Sequence, residues 1–418
     1  MIKEFDIVIT ANSPGELWGW VKPVITSLNK RCPQARIILV ITPCQYASGR
    51  ELEVARSIPG VEEVILPQEY TKWMRRGASP QGISFNPKGI VVFMGGDLFH
   101  GVLLSRKLKF PAIAYSENRS LWKKDYKFFM VPYPKTKTEF LRRGVPEEKI
   151  KLVGNLVVDS VSTNLETDKI KTKLGLDAKH PVISFMPGSR PFQVRFMTPF
   201  FLKTADLIKQ KAPESKFIFA LSPFVNPTIV EHALRDFEEG RLGLEKDLGS
   251  TGSLSLENSI AYINTSLETK VILLEKHAEA LNISDLVVTV PGTNTAEAAI
   301  LGKPMLVVFP LNKPELIPLE GLLGLAGNIP RLGHFVKRAS LSLMDLWTKY
   351  LSQPNMIAGQ AIVPELRGIL KPKDVANKTL EILADQSGRD IMGLKLKEIM
   401  GEPGAANRVV DEILRFNL

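Results

Sequence analysis

The chain has 418 residues, 44% of them hydrophobic and 23% charged, with a formal net charge of +10. This composition predicts a globular protein of two or three domains, and the lack of any apolar run of about 18 residues argues against a transmembrane helix. Two cysteines, Cys32 and Cys44, are too few for a disulfide framework or a zinc site, so we expect a reducing, cytoplasmic compartment.

The positive charge is concentrated in the first part of the chain. Residues 1–150 contain 23 Lys and Arg against 14 Asp and Glu, a net of +9, which leaves +1 for the remaining 268 residues. Such asymmetry favours an anionic partner for the first domain, namely a lipid surface, a nucleic acid or an acidic substrate. The alternative is a basic surface that is merely well solvated.

The first half of the chain alternates strand-like and helix-like segments. The opening residues, MIKEFDIVIT, predict a first buried strand rather than a signal peptide. Segments of helical period, such as ELWGWVKPVITSLNK, separate the apolar runs, which is typical of a parallel sheet covered on both faces. The predicted strands are residues 5–10, 36–41, 61–66, 89–94, 111–116 and 127–132.

A second series of alternating strand-like and helix-like segments follows a polar stretch near residues 162–180. Residues 236–256 interrupt it with Gly, Ser and charge and predict a surface insertion, and the tail from about residue 370 is helical. We therefore predict an α/β protein with two doubly wound, Rossmann-like domains facing a central cleft. The strands of this series are 181–186, 216–221, 270–275, 285–290 and 304–309, and the predicted domains are 1–160, 161–385 and 386–418.

Two loops of the first domain follow strands and contain polar residues. In TANSPGELWGW, Ser13 to Gly15 break the strand and Glu16 begins a helix, while the absence of GxGxxG argues against a dinucleotide. Trp18 and Trp20 are either core residues or a platform for a sugar or an acyl chain.

In FMGGDLFHG, Gly95 and Gly96 precede Asp97, which is either a helix N-cap or a general base. His100 is a second candidate base. Elsewhere in this domain, residues 70–77, YTKWMRRG, mix Trp73 and Met74 with three cations and could dip into a lipid interface. A solvated helix end is the alternative there.

Two strand-to-helix loops of the second domain favour an anion. MPGSRPF brings Gly188, Ser189 and Arg190 to a helix start, where free N–H groups and a guanidinium suit a phosphate. VPGTNTAE does the same with Thr293 and Thr295. Glu297 either accepts hydrogen bonds from ribose hydroxyls or is a favourable helix-dipole charge. Together the two loops predict a nucleotide site.

These motifs resemble those of the lipid-A-disaccharide synthase family of inverting GT-B glycosyltransferases. The similarity covers nearly the whole length and is most specific in the second domain. In the first domain, Asp97 matches the strand-end Asp of that family, whereas Asn155 and Leu156 stand where the family has His-Pro. The matching motifs are MPGSR at 186–190, PGTNTAEA at 291–298, PNMIAG at 354–359 and VPEL at 363–366.

The resemblance implies a mechanism and a set of site residues. Arg190 would stabilise the charge on departing UDP, Glu297 would hold the ribose, and Asp97 would take the proton of the acceptor hydroxyl as it attacks the anomeric carbon. The scheme requires no Mg²⁺ or other cofactor, and we find no DxD motif. The implied site residues are Ser13, Gly15, Glu16, Asp97, Gly188, Ser189, Arg190, Gly292, Thr293, Asn294, Thr295, Glu297 and Asn355.

The resemblance also implies the partners. It predicts a hexosyltransferase that moves an acylated glucosamine unit from a UDP-sugar to a lipid-linked sugar at the inner face of the cell membrane, where the basic first domain would meet anionic lipid. The competing functions are a UDP-GlcNAc 2-epimerase and a non-catalytic nucleotide-sugar-binding relative. Nucleic acid is disfavoured because no recognition module appears, and monomer and homodimer both stay open.

Overall fold

The computed structural model describes residues 4–43, 51–77, 79–80, 82–161, 165–177, 179–222, 225–312 and 349–416, so Cys44 lies outside the described residues. The chain divides into two compact units. Unit 1 comprises Met1–Val161 with Gly401–Leu418, and unit 2 comprises Ser162–Met400.

Unit 1 contains a seven-stranded sheet in the order β3-β2-β1-β4-β5-β6-β7, and every neighbouring pair is parallel. All residues of the central strands β1 and β4 are buried, because helices cover both faces of a doubly wound sheet. The six predicted strands are confirmed, and the short β7 is additional. The strands are β1 Phe5–Ala11, β2 Ala35–Ile41, β3 Glu63–Ile65, β4 Gly89–Phe93, β5 Ala112–Tyr115, β6 Tyr126–Val131 and β7 Ile150–Leu152.

The helices of unit 1 connect these strands. The first is continuous over three segments: α1 (Pro14–Glu16) leads into a π-helical turn at Leu17–Val21 and then into α2 (Lys22–Arg31). A helix from the end of the chain, α16 (Ala405–Leu414), also belongs to this unit, where Asn407 accepts a hydrogen bond from Ser27 and Arg408 donates to the Val153 carbonyl. The others are α1 Pro14–Glu16, α2 Lys22–Arg31, α3 Glu51–Ser57, α4 Pro67–Arg76, α5 Leu98–Leu108, α6 Pro134–Arg142 and α7 Leu156–Ser160.

The core of unit 1 includes side chains of helix α4, which contains most of the segment that was predicted to contact lipid. Trp73 is 2% exposed and stacks on Phe85 with ring centroids 5.1 Å apart, and Met74 packs on the same core. The prediction that residues 70–77 dip into a lipid interface is therefore wrong, because the amphipathic helix turns its apolar residues inward.

Unit 2 contains an eight-stranded sheet in the order β10-β11-β12-β9-β8-β13-β14-β15. The six strands from β12 to β15 are parallel, and all five strands predicted for this half of the chain are confirmed. The strands are β8 Val182–Met186, β9 Lys216–Ala220, β10 Gly252–Glu257, β11 Ile260–Thr265, β12 Lys270–Leu274, β13 Leu286–Thr289, β14 Met305–Pro310 and β15 Glu365–Gly368.

The predicted surface insertion at residues 236–256 is wrong at its C-terminal end. The residues from Gly252 onward form β10, which pairs with β11 in an antiparallel hairpin at the edge of the sheet. Asn258 and Ser259 make the two-residue turn with φ of 49° and 65°. Two successive positive φ values match the right-handed twist of a hairpin. The Gly and Ser content of the segment hid this edge strand from the hydrophobic pattern.

The helices of unit 2 flank its sheet. Helix α15, grouped with the tail in the sequence analysis, lies in this unit and contacts α12 and α14. None of the helices in the described parts of the chain combines the length and apolar composition that a bilayer crossing needs. The helices are α8 Thr167–Lys173, α9 Pro191–Lys211, α10 Thr228–Glu238, α11 His277–Ile283, α12 Thr293–Ile300, α13 Gln353–Ala358, α14 Pro372–Ala384 and α15 Gln386–Met400.

Candidate functional site

Each sheet has one place where the strand order reverses, and ligands of doubly wound sheets bind there, beyond the carboxyl ends of the strands. In unit 1 this switch point lies between β1 and β4, and in unit 2 it lies between β8 and β13. The loops singled out in the sequence follow these four strands. The fold therefore places both pairs of loops where a ligand site is expected.

In unit 2 the two motifs that are predicted to bind an anion are neighbours. The Val290 amide donates to the Met186 carbonyl at 3.3 Å, and the Thr289 hydroxyl donates to the same oxygen at 3.3 Å. A Cβ on Gly188 would approach the Val290 side chain to 3.0 Å. The PGSR loop and the PGTNT loop thus lie side by side at the switch point.

The PGSR loop requires glycine at position 188, and its arginine is the N-cap residue of the following helix. Gly188 has φ +102°, and a Cβ there would also lie 2.4 Å from the Gln193 Oε1 atom. Arg190 is the N-cap residue of α9, but its side chain makes no capping hydrogen bond. Ser189 and Arg190 are half-buried. The first turn of α9 begins with Pro191, which has no N–H group, and the amides of Gln193 and Val194 donate to the Arg190 carbonyl at 3.0 and 3.2 Å.

The PGTNT loop is built on an unusual backbone. Gly292 has φ +156° and ψ −171°, a region that is essentially restricted to glycine, and a Cβ at this position would have no atom within 4 Å. Thr293 and Asn294 are half-buried at the start of α12. The Thr295 hydroxyl is occupied, because it donates to the Gly292 carbonyl at 2.8 Å and accepts from the Gln353 amide at 3.1 Å.

Glu297 is 6% exposed and faces His277, the first residue of α11. Its Oε2 atom lies 3.2 Å from His277 Nε2, within ion-pair range, yet makes no hydrogen bond within the described structure. Buried polar atoms are nearly always hydrogen-bonded, so an unsatisfied carboxylate oxygen at a strand-end site calls for a donor. A ligand hydroxyl is one such donor.

Asn355 joins helix α13 to strand β15 and is completely buried. Its Nδ2 group donates to the Val363 carbonyl at 2.9 Å and to Glu365 at 2.7 Å, while its Oδ1 atom accepts from the amides of Ile362 and Val363. Glu365 also accepts from the amide and hydroxyl of Ser352. The PNMIAG and VPEL motifs are therefore bonded to each other, and these hydrogen bonds occupy both polar groups of Asn355.

In unit 1, Glu16 ties the two switch-point loops together. Its carboxylate accepts from the amides of Asn12 at 2.9 Å, Ser13 at 3.2 Å and Gly96 at 3.2 Å, and the Ser13 hydroxyl accepts in return from the Glu16 amide at 3.4 Å. Burial raises the pKa of Glu16, although these backbone donors oppose the rise. A Cβ on Gly95 would lie 2.0 Å from Glu16 Oε2, so the contact requires glycine.

Asp97 is exposed and caps helix α5, since its Oδ1 atom accepts from the Phe99 amide at 2.8 Å. The capping role uses one carboxylate oxygen and leaves the general-base role open. His100 shares a 2.8 Å hydrogen bond with the Tyr70 hydroxyl through Nδ1, and burial lowers the pKa of His100.

A third carboxylate at this edge, Glu117, was not among the predicted site residues. It follows β5, the neighbour of β4, and is half-buried. Burial and the nearby charge of Glu16 raise the pKa of Glu117 to about 7. Perturbed carboxylates of this kind cluster at functional sites. The sequence signal that could have identified Glu117 is an acidic residue just after a predicted buried strand.

The tryptophans of the first loop are half-buried rather than fully in the core or fully exposed. The ammonium of Lys22 lies 3.6 Å from the ring centroid of Trp18, and Trp20 contacts Tyr115 edge-on at 5.3 Å. His277, the partner of Glu297, was also missed by the sequence analysis. A single histidine after an apolar strand has no distinctive spacing, so only the tertiary contact reveals it.

The sequence of the chain is similar to those of known proteins. A sequence model of the lipid-A-disaccharide synthetase family matches residues 125–240. The lipid-A-disaccharide synthase of Anaeromyxobacter sp. strain K is 27% identical over 248 residues, 58% of this chain and 51% of that protein, so the match spans about half the length of that relative. The synthase of Hydrogenovibrio crunogenus is 24% identical over 97% of this chain and 96% of its own.

Solved structures support the fold. UDP-GlcNAc 2-epimerase from Neisseria meningitidis, bound to UDP-GlcNAc, has a TM-score of 0.59 at 14% identity, covering 98% of this chain and 100% of that chain. MurG from Acinetobacter baumannii has a TM-score of 0.50 at 15% identity, with 99% of each chain covered. At such low identity these likenesses establish the fold alone, and the predicted GT-B class of two Rossmann-like domains is confirmed.

Proposed function

We propose that the chain is a member of the lipid-A-disaccharide synthase family, to which it is similar, and that it is an inverting hexosyltransferase. It moves a glucosamine unit, acylated in the family reaction, from a UDP-sugar to a lipid-linked sugar acceptor. The observation that carries the proposal is the meeting of the PGSR and PGTNT loops at the switch point of unit 2. That arrangement pairs two helix N-termini with Arg190.

In this proposal unit 2 binds the donor. The amides of Gly188, Ser189 and the first turn of α12 receive the pyrophosphate, and Arg190 stabilises the negative charge that grows on UDP as the glycosidic bond breaks. Thr293 and Asn294 add polar contacts. The ribose hydroxyls donate to the unsatisfied oxygen of Glu297.

Two predicted site residues of unit 2 act indirectly in this scheme. The hydroxyl of Thr295 is bonded to Gly292 and Gln353, and Asn355 is bonded to Val363 and Glu365. Both therefore position the loop backbone. Gly292 contributes through its backbone conformation.

Unit 1 supplies the general base. Asp97 accepts the proton of the acceptor hydroxyl while the hydroxyl oxygen bonds to the anomeric carbon and the bond to UDP breaks, which inverts that carbon. Ser13, Gly15 and Glu16 shape the loop beside it, since the Glu16 carboxylate fixes Gly96, the residue before Asp97. The lipid-linked acceptor and an anionic membrane surface are the proposed partners of this unit.

The experiment measures UDP release from UDP-2,3-diacylglucosamine with and without 2,3-diacylglucosamine 1-phosphate, for the wild type and Asp97→Asn. The asparagine Oδ1 atom can still accept from the Phe99 amide, so the cap persists while the base is lost. We expect acceptor-dependent release that falls by about 10²–10⁴-fold in the variant, with unchanged thermal stability. Full activity of Asp97→Asn would reduce Asp97 to a cap and overturn its assignment.

A second candidate, a UDP-GlcNAc 2-epimerase, shares the fold and needs no acceptor. Glu117, which is half protonated near neutral pH, gives unit 1 a second acid–base group that such an isomerase could use. Inversion at C2 requires that the C2–H bond break and reform. Incubation with UDP-GlcNAc in D₂O distinguishes the two: deuterium at C2 of a 2-epimer without acceptor would favour the isomerase and overturn the transferase.

A further inference from the structure

We propose that His100 is a second catalytic residue of unit 1, a neutral imidazole whose Nε2–H group donates a hydrogen bond to the acceptor hydroxyl that Asp97 deprotonates. The sequence analysis considered His100 as an alternative base, and its contact with Tyr70 gives it the role of a donor instead. The inference rests on the proposed function, in which Asp97 is the base. It names the second group that holds the attacking oxygen.

The hydroxyl of Tyr70 determines where the imidazole carries its proton. Tyr70 lies in helix α4 and is 2% exposed, and its ring contacts the His100 ring edge-on with centroids 5.3 Å apart. Its Oη atom is 2.8 Å from His100 Nδ1, and burial raises the pKa of Tyr70, so the phenol keeps its proton. Within the described residues this is the single hydrogen bond of the hydroxyl. Because a buried hydroxyl donates its proton to a partner, Nδ1 is the acceptor.

An imidazole whose Nδ1 atom accepts a hydrogen bond is neutral and carries its proton on Nε2. Burial lowers the pKa of His100, which favours this neutral form, although the charge of Asp97 opposes the shift. The phenol of Tyr126, which also lies near Tyr70 and Asp97, is not a competing donor, because it donates to the Leu98 carbonyl at 2.6 Å. His100 is therefore unsuited to be a base: Nε2 already holds a proton, and Nδ1 is bonded to Tyr70.

His100 and Asp97 belong to the same helix start. Asp97 is the N-cap residue of α5 and His100 is the third helical residue, a spacing that places two side chains on one face of a helix. Asp97 Oδ1 accepts from the Phe99 amide, and the described residues provide no hydrogen bond to Asp97 Oδ2 or to Nε2 of the half-buried His100. The first turn of α5 thus offers a ligand one acceptor and one donor.

One acceptor and one donor complement a hydroxyl group, which donates one hydrogen bond and accepts another. The acceptor hydroxyl donates to Asp97 Oδ2, and its oxygen accepts from His100 Nε2. In the reaction the proton moves from the hydroxyl to Asp97, the oxygen bonds to the anomeric carbon, and the bond from that carbon to UDP breaks with its electron pair leaving on UDP. His100 keeps its proton throughout, and its N–H group stabilises the negative charge that develops on the attacking oxygen.

The first experiment determines the tautomer of His100 by NMR. Long-range ¹H–¹⁵N spectra of the full chain labelled with ¹⁵N-histidine distinguish the two ring nitrogens, and the signals missing from His100→Gln assign this residue. We expect a neutral ring with its proton on Nε2 near neutral pH. Tyr70→Phe keeps the buried ring and removes the donor, so both tautomers should appear and the pKa of His100 should rise. A proton on Nδ1 in the wild type, or an unchanged tautomer in Tyr70→Phe, would overturn the proposal.

The second experiment measures acceptor-dependent UDP release by His100 variants. His100→Phe keeps an aromatic ring and removes the donor, so kcat/KM for the acceptor should fall about 10–100-fold. His100→Gln keeps a side-chain N–H donor but has no group that takes up a proton near neutral pH, so it should restore most of the rate. The matched control is His232→Gln, at an exposed histidine of helix α10 in unit 2, which should match the wild type.

Three results would count against the donor role. Wild-type rates for His100→Phe would remove the contact with the hydroxyl. Equal losses in His100→Phe and His100→Gln would show that an imidazole, and not merely a donor, is required. The melting temperature and the calorimetric affinity of His100→Phe for UDP should equal those of the wild type, and a fall in both alongside the rate would assign His100 a structural role instead.

The two readouts separate this inference from the proposed function. If acceptor-dependent release falls in Asp97→Asn but not in His100→Phe, the transferase stands and the donor assignment is wrong. If His100 carries its proton on Nε2 and no acceptor-dependent release occurs, the transferase fails and the contact with the hydroxyl fails with it, while the tautomer set by Tyr70 stands.

Discussion

The switch points of the two units have the same topology but differ in the polar groups that follow their strands. In unit 2 the loops at β8 and β13 present amides, hydroxyls and Arg190, whereas in unit 1 the loops at β1, β4 and β5 present the carboxylates of Glu16, Asp97 and Glu117. Unit 1 is nevertheless the basic half of the chain. Overall charge and the charge of the loops at a switch point are therefore independent, and one fold can carry different side chains at two such points.

The difference extends to how the loops are held. Glu16 closes the unit 1 loops through three backbone amides, so that end is fixed by a buried carboxylate. At the unit 2 end, Arg190 is the N-cap residue of α9 and Gly292 that of α12, and neither helix has a side-chain capping hydrogen bond. A carboxylate such as that of Glu16 can satisfy backbone amides that would otherwise be available to a ligand.

The largest expected effect concerns Arg190. Arg190→Ala should lower kcat by about 10²–10³-fold, because the charge developing on UDP loses its cation in a partly buried site. Arg190→Lys should retain part of the activity through a single contact. Steady-state kinetics of UDP release test this, with Lys203→Ala in the same helix as the control. Equal kcat values for Arg190→Ala and the control would contradict the proposed role of Arg190 in stabilising the charge on UDP.

The next effect tests whether Glu16 is a structural clamp. Glu16→Ala should destabilise the protein by about 2–4 kcal/mol, since it leaves three amides without their acceptor in half-buried loops. Gly95→Ala should also destabilise, because its Cβ would collide with Glu16 Oε2. In the double variant the collision is gone, so the two losses should not add. Urea unfolding of the four proteins measures this, and additive losses would contradict the clamp.

A pH-dependent effect concerns Glu117, whose pKa is raised from 4.5 to about 7. Between these values the native state holds a proton that the unfolded chain has released, so stability falls as pH rises through that window. Glu117→Gln carries no such penalty and should exceed the wild type by about 1–3 kcal/mol at pH 8, and by little at pH 4.5.

Denaturant unfolding at pH 4.5, 6 and 8 measures the Glu117 effect. The exposed Glu148→Gln serves as the control for loss of one acidic charge in unit 1. A difference between Glu117→Gln and the wild type that is independent of pH would show that the carboxyl is not perturbed.

The smallest expected effect concerns Thr293, at the first position of α12. Thr293→Val keeps the shape of the side chain and removes one hydroxyl, so we expect UDP affinity to fall about three- to tenfold. Thr293→Ser should restore it. Calorimetric titration with UDP measures the change, and unaltered affinity of Thr293→Val would remove this hydroxyl from the donor site.

The amino-acid pattern was sufficient to predict the α/β class and eleven of the fifteen strands in the described parts of the chain. Long runs of β-branched residues in a parallel sheet are buried on both faces, so the hydrophobic pattern alone locates them. Strands β7, β10, β11 and β15 escaped because they are short or lie at or near a sheet edge, where partly exposed residues break that pattern. The motifs PGSR and PGTNTAE likewise predict an anion site, since they combine residues that a helix start and an anion each require.

Which polar groups remain available depends on tertiary packing. The sequence could not foresee that Asn355 is bonded to Glu365, that Glu16 is bonded to three amides or that Glu297 faces His277, because each contact joins residues from different elements. Nor could it distinguish Trp73, turned into the core, from Trp122, held at the surface by a left-handed turn. Burial, and the pKa shift of Glu117 that follows from it, are properties of packing and not of residue type.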